Sequence, residues 1–192
     1  KSAGFHGYWP ASVDSVEERF GSPEELKELV EAAHSRGMKV LLEIIVNNVH
    51  KENPVYREHS EWFSPFILSG GIKNLRLFDE RPLDTWLADY LPDFDYRKNP
   101  DAVEYMTENC VFWAKLSGAD GFRIDAVDYI PYIFIRELRK KMPGFYIAGD
   151  ASGSRNKIKE FIGPAALDGQ YDFPLYRAIR DAFGTGGSPE NL

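Results

Sequence analysis

The sequence predicts an α/β fold built on a parallel sheet, and three stretches carry that prediction. Ser22-Pro23-Glu24-Glu25 opens an amphipathic helix that Gly37 closes, and an apolar run over residues 40–46 follows at once. Lys115-Leu116-Ser117-Gly118 ends another helix just before a short apolar stretch over residues 121–127. A helix over residues 131–142 is stopped by Pro143-Gly144 and leads into a further apolar run, 145–148. Helix then strand, repeated, is the pattern of βα units. Near-continuous apolar runs suit strands covered on both faces, as parallel strands are.

Taken in order, His6-Gly7-Tyr8-Trp9-Pro10 crowds a histidine and two aromatics around one glycine. Such a cluster serves either as a core loop with satisfied polar tips or as a binding surface. Ser22 and Glu25 form a capping box with Pro23 at the first helical position, and Leu26, Leu29, Val30 and Ala33 recur at helical spacing. Glu43 is the one charge inside the run 40–46. Residues 48–93 hold no clean helical period but carry Pro54, Pro65, Gly70, Gly71 and Pro82 among Trp62, Phe63, Phe66 and Trp86. An irregular stretch that long is usually functional or a small subdomain. Asn99-Pro100 opens a helix with Val103, Met106, Cys110 and Trp113 on one face, which makes Cys110 a core residue rather than a nucleophile.

The stretch Gly121-Phe122-Arg123-Ile124-Asp125-Ala126-Val127 is the most informative. On a strand, Arg123 and Asp125 share one face while Phe122, Ile124 and Ala126 share the other. A charged pair inside an apolar strand is costly unless it faces water or a ligand, and the plainer reading is a structural ion pair at a strand end. The next strand ends at Asp150, and residues 167–173 and 175–183 read as one more strand and helix.

Composition narrows the class. With 43% hydrophobic and 28% charged residues in 192, the chain has the makeup of a globular domain with one sizeable core. A net charge of -7 argues against nucleic acid as a partner. No apolar run is long enough for a membrane span, and no signal peptide stands at Lys1. Cys110 is the only cysteine, which excludes an internal disulfide.

Five stretches in sequence — Phe5 to Pro10, Val40 to Asn48, Leu91 to Asp95, the Arg123/Asp125 strand and Phe145 to Asp150 — resemble the α-amylase family, glycoside hydrolase family 13. The resemblance covers nearly the whole chain. It implies an incomplete parallel (β/α)₈ TIM barrel from residues 1–48 and 94–192, with residues 49–93 as a subdomain inserted after the third strand. About four βα units are present, whereas such a barrel typically needs about 250 residues. The resemblance further implies an α-glucan or malto-oligosaccharide substrate, with hydrolysis or transglycosylation by a retaining mechanism. Asp125 matches the nucleophile and Arg123 the arginine that orients it, while Asp150 stands where an acid/base glutamate is expected. His6, Tyr8, Trp9 and Asn48 fall at sugar-binding positions. Asn47 and Asp93 match a calcium site, and no organic cofactor is implied.

Several residues depart from the family pattern. Asp150 is one methylene short of the expected acid, Glu43 replaces a structural aspartate, and Asn48 replaces a histidine. Asp128-Tyr129 stands where Lys-His is common. The third family carboxylate belongs to a His-Asp pair after the seventh strand, and the last histidine here is His59. Two functions remain open at this level: a retaining α-glucan enzyme forming part of a longer chain, or a non-catalytic amylase-like domain that binds carbohydrate or protein.

Overall fold

The computed structural model describes residues 4, 6–184, 186–188 and 190. Its centre is a four-stranded, all-parallel sheet in the order β1 (Leu41–Ile44), β2 (Gly121–Ile124), β3 (Tyr146–Gly149), β4 (Gly169–Gln170). Six α-helices accompany it among the described residues: α1 (Pro23–His34), α2 (Pro54–Glu58), α3 (Pro100–Ser117), α4 (Tyr132–Lys141), α5 (Arg155–Glu160) and α6 (Phe173–Phe183). No helix among the described residues is long and apolar enough to cross a membrane.

The local signals act as their chemistry requires. Ser22 accepts from the Glu25 amide while the Glu25 side chain returns to the Ser22 amide, so the α1 capping box is complete. Gly118 ends α3 in the left-handed conformation at φ 70°, which a residue with a Cβ adopts only at a cost. At Gly121 a Cβ would meet the Tyr146 carbonyl oxygen at 2.5 Å, so the close approach of β2 to β3 requires glycine.

The core lies between one face of the sheet and the α3–α4 pair. Phe122 and Ile124 of β2 and Ile147 of β3 are buried there with Met106, Phe134 and Leu138. A stack of Phe94, Tyr96 and Phe134, with centroids 5.1 and 4.7 Å apart, runs through it. Val103, Met106 and Cys110 are buried on the predicted face of α3, while Trp113 is half-buried and donates from Nε1 to the Val13 carbonyl at 2.7 Å. Burial pushes the Cys110 thiol up to about 12, in keeping with a core residue.

Some boundaries differ from the sequence reading. The strand expected over 167–173 contracts to Gly169–Gln170, because Asp172 caps α6 by accepting from the Leu175 amide at 2.8 Å and Pro174 follows in the first turn. Two short helices escape hydrophobic periodicity: α2, capped by Asn53, and α5, capped by Ser154. On α1 only Val30 is buried, and Leu29 of the expected apolar face is 64% exposed. Across the molecule, Tyr176, Ile179 and Phe183 form a second open apolar stripe along α6.

Between β1 and α3 the chain is mostly irregular and held by side chains. Asn74 is fully buried and donates to the carbonyls of Pro65 and Asp84. Trp86 donates to the Ser64 carbonyl at 2.8 Å, and buried Asp84 receives Arg81 and Arg97, each at 2.6 Å.

Candidate active site

The register of the sheet assembles the charged centre. Glu43, Arg123 and Ala148 stand side by side on β1, β2 and β3 and therefore share one face. The ladder continues past the strand ends: the Asp125 amide donates to the Ile44 carbonyl at 3.1 Å and the Asp150 amide to the Ile124 carbonyl at 3.0 Å. Asp125 and Asp150 thus emerge beside each other at the C-terminal edge. Ala126, next to Asp125, sits at φ 50° and ψ 43°, a strained conformation for a non-glycine residue of the kind that collects at functional sites.

Arg123 holds three carboxylates. Its Nη1 donates to Glu43 and, at 2.9 Å, to Asp125 Oδ1, while Nη2 donates to Asp150. The Tyr171 ring covers the guanidinium at 5.5 Å. Burial opposes the Arg123 charge, but Glu43, Asp150 and Asp125 outweigh it and raise its pKa. Burial also raises the Asp125 carboxyl; Arg123 offsets this in part, and the charges of Glu43 and Asp150 add to it.

Above Asp125 opens a cavity of about 520 Å³. His6, Tyr8, Trp9, Asn47, Asn48 and Asp125 line it, so six of the sequence-predicted site residues converge on one space. His6 stacks on Tyr8 at 5.5 Å and meets Trp9 edge-on at 4.5 Å. A hydrogen bond to Glu43 is the first cause that raises the Tyr8 hydroxyl, and desolvation adds to it. Arg123 and Asp150 are not among the lining residues. Phe78, Leu87 and Tyr129 complete the wall, with the Phe78 and Tyr129 rings 5.0 Å apart. Phe78 and Leu87 belong to the irregular segment, where no motif or period marks them.

Asp93 lies apart from this space. It is buried, and Asn47 Nδ2 donates to its Oδ2 at 2.5 Å while Oδ1 has no hydrogen-bond partner. Desolvation raises its pKa well above the usual carboxylate range; the Asn47 hydrogen bond counters this, and Asp84 and Asp95 add to it. No group of three or more His, Cys, Asp or Glu able to hold a metal occurs among the described residues.

Comparison with known proteins returns amylases and related enzymes. The family model for the alpha amylase catalytic domain matches residues 1–66. Alpha-amylase 2 of Dictyoglomus thermophilum is 26% identical over 191 residues, covering 95% of this chain and 32% of the relative. A cyclomaltodextrinase of a Bacillus species is 25% identical, covering 93% of this chain and 33% of the relative. The chain thus spans about a third of the length of these curated relatives. The crystal structure of a Geobacillus thermoleovorans α-amylase complexed with acarbose superimposes with a TM-score of 0.76 at 28% identity, over 93% of this chain and 40% of that one. The four parallel strands are a segment of the barrel in such enzymes, and the chain is similar to members of the α-amylase family along most of its length.

Proposed function

We propose that this chain is part of a longer retaining glycosidase or transglycosylase acting on α-glucans, with Asp125 as its nucleophile. The observation that carries this reading is the position of Asp125: it lies on the wall of an aromatic cavity and is tied from outside that cavity by Arg123. The rings of Tyr8 and Trp9 suit the apolar C–H face of a pyranose, while His6 and Asn48 offer polar groups to its hydroxyls. Residues 1–48 and 94–192 would supply the barrel and residues 49–93 one wall of the cleft. The exposed apolar residues Leu29 and Leu41 on one side and Ile179 and Phe183 on the other suit cover by further barrel units.

In a retaining mechanism one carboxylate attacks the anomeric carbon while a second protonates the departing oxygen, then activates water or an acceptor hydroxyl. Asp150 is the second carboxyl at the strand ends, and it must turn from Arg123 toward the cavity to act. The alternative reading is a non-catalytic amylase-like domain that binds carbohydrate or protein.

Calcium would fit the Asn47–Asp93 pair. A buried carboxylate oxygen without a partner, on a carboxylate already in contact with an amide side chain, suits a hard cation, and amide and carboxylate oxygens are its usual ligands. Backbone carbonyls and water would complete the shell.

Substitution in the full-length protein separates the two readings. Asp150→Glu should raise turnover of natural α-glucans by about tenfold or more, since a misplacement near 1 Å can cost about 10²-fold. The gain should be small on nitrophenyl glycosides, whose leaving groups need little protonation. Asp125→Ala should abolish both activities. If neither substitution changes turnover, the catalytic reading fails and the binding domain stands.

A further inference from the structure

We infer that Asp128 is a positioning residue for Asp150: through the Ser152 amide it fixes the backbone from which the Asp150 carboxylate must reach the cavity. This rests on the reading of Asp125 and Asp150 given above and adds to it a residue outside the cavity.

Asp128 is buried in the single 3₁₀ turn over Val127–Tyr129 that follows Asp125. Its Oδ2 accepts from the Ser152 amide at 2.8 Å and from the Ser152 hydroxyl at 3.4 Å. One residue earlier, the Val127 amide donates to the Asp150 carbonyl at 3.0 Å. The turn after β2 is therefore fastened to the segment after β3 both at Asp150 and beyond it, at Ser152. Other elements hold the same segment. The Tyr171 amide donates to the Gly149 carbonyl at 3.2 Å, and Arg177 of α6 donates to the Ser152 carbonyl at 3.3 Å. With the Asp150 amide on the Ile124 carbonyl, the backbone is bonded on both sides of Asp150.

Burying a carboxylate costs free energy unless both oxygens are bonded, and Asp128 Oδ1 has no hydrogen-bond partner among the described residues. Joining the two segments does not require that cost, because the Val127–Asp150 bond already does so. The Asp128 bond adds fixation past Asp150. An aspartate side chain is short, so rotation about its staggered torsions carries the carboxylate only a small way from its Cα. Such a side chain can turn from Arg123 toward the cavity but cannot make up for a displaced backbone. A misplacement near 1 Å can cost about 10²-fold. Asp128 does not line the cavity above Asp125, so it acts on a ligand there through the segments it holds. Its neighbour Tyr129 does line that cavity, and loosening that ring would weaken binding of every substrate alike.

The test compares full-length wild type with Asp128→Ala on a natural α-glucan and on a nitrophenyl α-glucoside. A misplaced acid matters most when the leaving group needs its proton. On the glucan kcat/KM should therefore fall by about tenfold or more, and on the nitrophenyl glycoside by less than about threefold. Asp128→Asn, which keeps an acceptor for the Ser152 amide, should retain most of the wild-type rate on both. Ser152→Pro, which removes the donor and leaves the carboxylate, should reproduce the selective loss and guards against a misfolded Asp128→Ala. Amide hydrogen exchange reads the same bond apart from turnover. The Ser152 amide should be protected in the wild type and exchange about tenfold faster or more in Asp128→Ala. An equal loss on both substrates, no loss on either, or a Ser152 amide unprotected in the wild type overturns the positioning role and leaves the nucleophile reading to be judged by Asp125→Ala. A wild type that cleaves neither substrate overturns both.

Discussion

At the scale of single residues, Asp125 works under opposing influences. Arg123 at 2.9 Å favours its ionised form, yet burial and two neighbouring carboxylates raise its pKa on balance. On the proposal that Asp125 is the nucleophile it must be ionised, so kcat/KM should fall on the acid side through a value above about 3.9, the ordinary aspartate position. The same shift bears on stability. A carboxyl whose pKa is raised on folding contributes stability below its unfolded pKa, about 3.9, and loses it as pH rises through the folded value. At neutral pH, Asp125 therefore lowers stability. Asp125→Asn should melt at or above the wild-type temperature at pH 7, by up to about 2–4 °C for about 1 kcal/mol in a domain of this size. A clear drop in thermal melting would mean that the Arg123 pair outweighs burial.

Among the elements, the N-terminal edge of the sheet repeats one device. Asp120-Gly121 opens β2 and Asp168-Gly169 opens β4. Asp120 accepts from Lys39 at 2.7 Å and from the Val40 amide at 2.8 Å, and it pairs with His34 of α1 at 2.7 Å. Asp168 accepts from the Ile147 amide at 2.7 Å and from Arg139 at 2.5 Å. Each aspartate thus ties the strand beside its own at the end away from Asp125 and Asp150. The Lys39 hydrogen bond first, then the Val40 amide and His34, hold the Asp120 carboxyl well below the usual range. A depressed carboxyl contributes stability above its unfolded pKa, about 3.9, and loses it as pH falls toward the folded value. Asp120→Asn should therefore lower the melting temperature at pH 7 and flatten its decline below about pH 4. Melting curves that track the wild type at every pH would show that this tie contributes nothing.

For the whole molecule, the junction between the sheet and the irregular segment is the place where a bound ion would act. The Phe94 amide donates to the Asn47 carbonyl at 3.0 Å and the Val49 amide to the Pro92 carbonyl at 3.2 Å, around the buried Asn47–Asp93 contact. Calcium bound there would favour the folded state by about 2.7 kcal/mol at a hundredfold excess over Kd, which corresponds to about 2–3 °C in a cooperative unit three times this chain's length. Differential scanning calorimetry with calcium against chelator should find that rise in the full-length protein and lose it in Asp93→Ala. An equal rise in the variant would place the ion elsewhere.

That Asp125 and Asp150 meet at the C-terminal edge came with the family resemblance, while the sequence by itself determined the main helix–strand alternation, the parallel sheet and the shared face of Arg123 and Asp125. These follow from local chemistry: the capping box at Ser22, the apolar runs, and alternation that puts Arg123 and Asp125 on one face. It left undecided what depends on pairing between distant segments. That Arg123 gathers Glu43 with both aspartates depends on the register of three strands. Phe78 and Leu87 reach the cavity through a segment whose path is held by buried Asn74 and Asp84, and hydrogen bonds of that kind leave no periodic trace. Asp150 carries the contrast furthest. The resemblance placed it at the position of an acid, and only the tertiary structure shows its carboxylate accepting from Arg123 and absent from the cavity lining.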